Sequence, residues 1–293
     1  MDEKTFLANY SIENFDRPSV ATDIAIFSVD KDDEENIRRN QKGKLQLLLI
    51  RRESHPFKDF WALPGGFCRK GEEVFQTAKR ELKEETGIDS AHLSISDICG
   101  HPGRDPRGWI ISQSYLALLD KQKVSLRAGT DAWDAKWFDI CISSNVTSTK
   151  KDVDSLTLNV QWTLELKHED IILKSTIEET RSFEDFHKKS EYLLLSSDGL
   201  GFDHGIIILK AFLNLQNKVK HDDKMIFDLM PEKFTLAELQ DIYEAVIGSS
   251  VLTPNFRRKM APYVEETTDV APNRAHRQAK LYRRNIETFY DEL

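Results

Sequence analysis

The chain has 293 residues, 40% of them hydrophobic, with 41 lysines and arginines against 49 aspartates and glutamates and a formal net charge of −8. This length favours two domains, and the acidic balance excludes a uniformly basic nucleic-acid coat and leaves only local patches to consider. Cys68, Cys99 and Cys141 have no short metal spacing and read as reduced structural thiols, while no apolar run approaches a membrane span of roughly 18 residues and the polar start MDEKTFLANY is not a secretory leader, so a cytoplasmic protein is expected.

Residues 1–17 contain a short amphipathic stretch that ends at Pro18, where an extended chain is favoured. A strand follows over Val20, Ala21, Ile24, Ile26 and Val29, and LQLLLI (Leu45–Ile50) makes a second. The charged segment DKDDEENIRRNQKGK between them reads as a hairpin loop. Arg51 and Arg52 end the second strand, where arginines are usually surface charges. In PFKDFWALPGGF, Trp61 and Leu63 are expected to pack beneath a loop whose tight path Gly65 and Gly66 permit.

Val74, Ala78 and Leu82 recur at helical spacing, so residues 73–86 should form a helix with one apolar face, stopped by Gly87. On it Glu81, Glu84 and Glu85 stand at i, i+3 and i+4 and share one patch. Like charges so placed cost a helix roughly 0.2–0.5 kcal/mol per pair. A hard divalent cation reverses that sign, because carboxylate oxygens are the ligands Mg²⁺ prefers and Mg²⁺ keeps open positions for substrate phosphates. By themselves the three glutamates also read as a solvated acidic face.

The whole stretch GFCRKGEEVFQTAKRELKEETGI, from Gly66 to Ile88, resembles the signature of Nudix hydrolases at every specified position. These enzymes cleave a nucleoside diphosphate linked to another group. The resemblance implies Glu81, Glu84 and Glu85 as metal ligands, the Gly66 carbonyl beside the metal, Glu72 as an outer helper carboxylate and Arg80 as the residue that orients the glutamates. It also implies Mg²⁺ as cofactor, with Mn²⁺ as the alternative, and gives Arg51 and Arg52 a role in reaching substrate phosphates.

In HPGRDPRGW (101–109) a Pro-containing turn fixes Arg104 and Arg107, which suit phosphate or sugar oxygens through paired donors, while Asp105 is placed to hold the turn together. The segment resembles one found in ADP-ribose-cleaving Nudix domains and in the Nudix-related regulators of NAD metabolism. GTDAWDAKWF (129–138) resembles the Nudix segment that sets an acidic residue opposite the metal. Asp131 is the candidate further ligand or water-orienting base, and Asp134 the fallback.

From 141 to 200 the chain departs from a short Nudix domain. Val160–Leu166 and Ile171–Ile177 suggest strands and EETRSFEDFHKK an exposed connection, and no function attaches to this insert. FDHG then opens a helix over IIILKAFLNL with Asp203 near its N-cap, and His204 is a structural histidine before it is a ligand contact.

After QNKVKHDDK, Thr235 caps an apolar helical stripe of Leu236, Leu239, Ile242, Tyr243 and Val246 that ends near Gly248. A second helix begins at Pro254 and carries Arg257, Arg258 and Lys259, and RAHRQAKLYRRN adds Arg277 and Lys280. From Phe256 to Arg284 eight lysines and arginines face three acids, an excess of five positive charges suited to DNA phosphates or simply to a solvated face. Helix, helix and basic ribbon suggest a small winged helix, which the Nudix-related regulators also carry. The expected fold is therefore α/β: a Nudix α/β/α sandwich over 1–220 with its insert, then a winged-helix-like α+β domain over 221–293. The expected activity is Mg²⁺-dependent cleavage of ADP-ribose to AMP and ribose 5-phosphate. The alternative is a nucleotide-sensing regulator that binds duplex DNA. Nudix relatives imply a homodimer, and no membrane partner is expected.

Overall fold

The computed structural model describes residues 2–30, 43–89, 91–124, 126, 132–184, 187–270 and 279–290, and its apolar runs form the centre of one mixed sheet. Strand β1 (Ser19–Asp30) pairs antiparallel with β2 (Lys44–Arg52), and β6 (Ile110–Leu118) runs parallel to β1 on its other side. Alternate strand residues point to opposite faces, so β1 serves two cores. Ile24 and Ile26 pack with Ala78 and Leu82 of helix α2 (Val74–Thr86), while Ala25 and Phe27 join the cluster of Ile207, Ile208 and Ala211 from helix α3 (His204–His221). The result is an α/β/α sandwich. Helix α2 stops at Gly87, whose φ of 75° is left-handed and whose N–H donates to the Lys83 carbonyl.

Short strands β3 (Trp61–Ala62) and β4 (Gly65–Phe67) add to β2 and β1, and β5 (His92–Cys99) adds to β6. The insert extends the sheet from β2 as a meander of β7 (Ala132–Lys151), β8 (Ser155–His168), β9 (Ile171–Glu184) and β10 (His187–Asp198). Strands β5 and β10 therefore end the sheet at opposite sides of the order. Yet Lys210 of α3 reaches both: its Nζ donates to Asp97 on β5 at 2.7 Å and lies 4.9 Å from the Tyr192 ring on β10. The sheet thus curls about α3.

EETRSFEDFHKK is exposed over 183–184 and 187–189, as its charge suggests, but its described residues lie in strands and are at least partly buried over 178–182. Glu178–Glu184 belong to β9 and His187–Lys189 to β10, paired from Glu184 opposite His187 onward. Glu179 is 2% exposed, and its carboxylate accepts from Trp162 Nε1 at 2.8 Å, Arg181 at 2.7 Å and Tyr192 Oη at 3.0 Å. Three donors make a buried charge tolerable inside the ladder, and although burial opposes ionisation, Arg181 and Trp162 hold the carboxyl below its usual range. The separator 31–42 lies outside the described residues. At the N-terminus, the amphipathic stretch forms helix α1 (Glu3–Asn9), but it buries none of its residues.

The C-terminal part comprises a 3₁₀ turn (Asp223–Leu229), helices α4 (Leu236–Ile247) and α5 (Thr253–Met260), strands β11 (Val264–Val270) and β12 (Lys280–Arg284), and helix α6 (Ile286–Tyr290). Thr235 and Glu238 form a reciprocal cap at the start of α4, and β11 pairs with β12 as the wing. Phe227, Phe234, Leu239, Val246 and Phe256 belong to the same buried cluster as α3, so the apolar core runs on into this part. Among the described residues the cysteines are free, and no helix is long and apolar enough to cross a membrane.

A buried polar network anchors the start of α3. Asp203 occupies the N-cap position but makes no cap bond there; its carboxylate instead accepts from Arg104 Nε at 2.9 Å and Nη2 at 2.8 Å. Arg104 Nη2 also reaches Asp23 of β1 at 3.3 Å, and Ser112 Oγ donates to Asp23 at 2.5 Å. His204 accepts the Leu63 N–H at Nδ1 (2.9 Å), which leaves Nε2 to face Asp23 at 3.4 Å. Burial raises the Asp23 carboxyl, but His204, Arg104 and Ser112 outweigh it and bring it from the ordinary 3.8 to about 2. A depressed folded-state value stabilises above the unfolded pKa and is lost as pH falls through the folded one. The contribution of Asp23 is therefore complete above about pH 4 and fades towards about pH 2. Urea titrations should show Asp23→Asn less stable at neutral pH by about 3 kcal/mol, the low end for breaking a buried ion pair, since Asp203 still faces Arg104. They should also show that variant losing less stability between about pH 4 and 2 than the parent. Thr235→Ala should cost about 1 kcal/mol through the lost helix cap.

Candidate functional site

Helix α2 carries the acidic patch, and the loop before it supplies the counterpart. Arg80 is the hub. Its Nε and Nη2 bind both oxygens of Glu72 at 2.7 and 3.0 Å, its Nη2 donates to the Phe67 carbonyl at 3.1 Å, and its Nη1 reaches Glu81 at 2.5 Å and Glu84 at 3.0 Å. The Arg80 bonds hold the Glu72 carboxyl at about 2. Glu84 also accepts from Arg69 at 3.3 Å, and Glu85, 9% exposed, accepts the Gly65 N–H at 2.7 Å.

Glu81 lies against Gly66. A Cβ built on Gly66 would stand 2.4 Å from Glu81 Oε1, so only glycine leaves room for that carboxylate. Burial raises the Glu81 carboxyl, and the nearby Glu84 charge adds to this against the bond from Arg80. A cation would relieve both effects. All the donors are hard oxygens, which fits Mg²⁺ or Mn²⁺. In the present conformation, however, no three acidic, His or Cys side chains among the described residues stand together at metal-holding spacing. The bonding explains this: Arg80 Nη1 bridges Glu81 and Glu84, while Glu85 is drawn to the Gly65 N–H.

Beside this patch is a small cleft lined by Thr22, Arg52, Gly66, Phe67, Arg107 and Phe202. Asp105 accepts from the Arg107 N–H at 2.9 Å and from Nη2 at 2.6 Å, so it holds the turn as its place in the sequence suggests. Arg107 lies over the rings of Phe67 and Phe202, 4.7 and 5.2 Å from their centroids, and Arg52 lies over Phe202 from 4.9 Å. Burial and the Arg107 charge push the Arg52 pKa down. Both guanidiniums line the cleft, where Arg107 is already paired with Asp105. Thr22, another residue lining the cleft, has a buried Oγ1 with no hydrogen-bond partner among the described residues.

The other candidate residues are more dispersed. Arg51 is turned to Asp59, with Nε donating to its carbonyl at 3.2 Å, and Arg104 is committed to Asp203 and Asp23. His204 is buried within the same network. Asp131 and Arg277 lie outside the described residues, and Asp134 pairs with Lys136 at 3.3 Å. On α5, Arg257, Arg258 and Lys259 are all exposed, and Lys259 also reaches Asp223 at 2.7 Å and the Tyr243 hydroxyl at 3.2 Å. Lys280 on the wing pairs with Glu266 at 2.7 Å. Sequence reasoning missed Asp23, Phe202 and Arg69. For Asp23 a signal existed, since a lone carboxylate inside the apolar run VATDIAIF marks a buried polar site.

Comparison with known proteins agrees with this architecture. The NUDIX domain model matches residues 36–141, and the NrtR DNA-binding winged helix domain model matches residues 226–284. Over 290 residues the chain is 30% identical to the ADPR responsive transcriptional repressor NtrR of Acinetobacter baylyi, covering 98% of this chain and 90% of that protein. The ADP-ribose pyrophosphatase of Methanocaldococcus jannaschii is 44% identical over 95 residues, 32% of this chain and 55% of that enzyme. The crystal structure of a MutT/nudix family protein from Enterococcus faecalis superposes with a TM-score of 0.66 at 26% identity, covering 96% of this chain and 92% of that one. With a Nudix core, a winged helix of the NrtR type and a relative matched along nearly its whole length, the chain belongs to the family of Nudix proteins that carry the NrtR DNA-binding domain.

Proposed function

We propose that the protein is a DNA-binding transcription regulator whose Nudix domain senses ADP-ribose. The observation that carries this reading is the course of α3. Asp203 and His204 at its start belong to the network beside the cationic cleft, and further along Gln216 Nε2 donates to the Val246 carbonyl of α4 at 3.1 Å. A ligand that moves the start of this rigid helix moves the winged helix with it, and an energetic coupling of this kind is reciprocal. The diphosphate lies between Arg52 and Arg107, with the Thr22 hydroxyl as a further donor. DNA is met by α5, the second helix of the pair, through exposed Arg257 and Arg258 and with the β11–β12 wing beside it. The similarity to the Acinetobacter repressor supports both halves of the reading.

A second reading is Mg²⁺- or Mn²⁺-dependent hydrolysis of ADP-ribose, and it is favoured by the complete glutamate set with its Gly66 cradle. Glu81, Glu84 and Glu85, with the Gly66 carbonyl, would hold the ion, which supplies Lewis-acid polarisation of the pyrophosphate and an activated water. Arg80 would keep the carboxylates in register. The similarity to the Methanocaldococcus enzyme covers only about half of that protein's length and supports this reading at the level of the domain.

Selection from a pool of random duplexes should enrich one sequence, and ADP-ribose should shift its affinity; enrichment of none would remove the regulator reading. Replacing Arg257 and Arg258 by alanine should lower the slope of log affinity against log salt by about 2, at roughly 0.9 per phosphate contact. In assays that follow AMP from ADP-ribose and Mg²⁺, Arg80→Ala should reduce any turnover by roughly 10–100-fold, as loss of a ligand-orienting group does. Glu85→Gln turning over as fast as the parent would refute the metal-site assignment.

A further inference from the structure

Arg104 and Phe202 form a common wall between two cavities. The cleft beside α2 holds about 70 Å³, well below the roughly 300–1,000 Å³ of sites that enclose a small organic molecule. Across the wall lies a cavity of about 990 Å³, set in the gap where the two sheet edges β5 and β10 approach each other over Ile206 and Lys210 of α3. A nucleotide with its phosphates against Arg52 and Arg107 outgrows the first space, and the second adjoins it.

The chemistry of the larger cavity is set by the insert. Strands β9 and β10 contribute Glu178, Thr180, Ser190 and Glu191, with Thr180 opposite Glu191 in the ladder and Glu191 itself paired with Lys189 at 2.5 Å. Ionised carboxylates only accept hydrogen bonds. A ribose presents several hydroxyl donors to such groups, whereas adenine presents one amino group. Tyr192 supplies an apolar surface, fixed by its bond to buried Glu179. Phe57 and Phe202, also in the cavity's lining, have φ of 59° and 55°, with rings 4.7 Å apart. Non-glycine residues held in that region are strained, and such strain concentrates at ligand sites.

We propose that this cavity is the subsite for the terminal sugar of the diphosphate ligand, with Glu178 accepting from its hydroxyls. The proposal rests on the ADP-ribose reading above and makes the insert the element that selects the ligand. Its test is calorimetric titration of the full chain with ADP-ribose and with ADP, which lacks the terminal sugar. Glu178→Ala, which removes an acceptor, and Ile206→Trp, which fills the cavity, should each weaken ADP-ribose binding by at least about tenfold, equivalent to ~1.4 kcal/mol. Binding of ADP should stay within about twofold of the parent in both variants, which also reports that they are folded. ADP-ribose affinity unchanged in both variants would overturn the subsite while leaving the ligand reading intact. Parallel loss for ADP and ADP-ribose would place the nucleoside end there instead and would equally overturn it. A parent chain that binds neither compound would overturn the ligand reading and the subsite together.

Discussion

The arrangement of the cleft beside α2 depends on one buried guanidinium. Arg104, its side chain 5% exposed, is shared between Asp203 at 2.8 Å and Asp23 at 3.3 Å. Through it the 101–109 turn, the central strand β1 and the start of α3 are tied at one point. A buried charge of this kind is tolerated only when its partners are in place, so three segments distant in sequence must assemble together. Once they do, Arg107 and Phe202, each a few residues from a member of this network, are brought face to face.

Arg80 performs a comparable task on the outer face of α2, but with a different balance. It gathers Glu72, Glu81 and Glu84, which would otherwise repel one another, and its own pKa rises further because of them. The same guanidinium that pre-assembles the carboxylates stands between two of them. A metal ion would compete with Arg80 for those oxygens. Occupancy of the patch is therefore linked to the position of the loop that Arg80 holds through the Phe67 carbonyl, and Phe67 lies under Arg107. The acidic patch on α2 and the cleft beside it are thus physically adjacent.

The insert changes what a Nudix sheet can enclose. By adding long strands on one side, it carries the sheet around α3 until its two edges face each other, and Lys210 spans both. Strand edges expose unpaired backbone groups and are usually covered or blunted. Here they border a cavity lined on one side by insert residues.

The sequence alone determined the α2 helix, its glycine stop and the shared face of Glu81, Glu84 and Glu85, because these follow from local periodicity and spacing. It likewise determined the β1 and β2 core runs and the Thr235 cap, whose signals lie within a few residues of one another. The insert was only half legible: Val160–Leu166 and Ile171–Ile177 alternate as strands do, but the charges of 178–184 and 187–189 hid the pairing of β9 with β10, because Glu179 is held by partners on three strand segments. Tertiary structure alone decided that Arg104 serves Asp23 and Asp203, that Lys259 is paired with Asp223, and that β5 and β10 border a cavity. The physical reason is common to all three. Local propensity acts over one or two turns of chain, whereas charge pairing and sheet curvature are settled by groups tens of residues apart that meet only in the folded molecule.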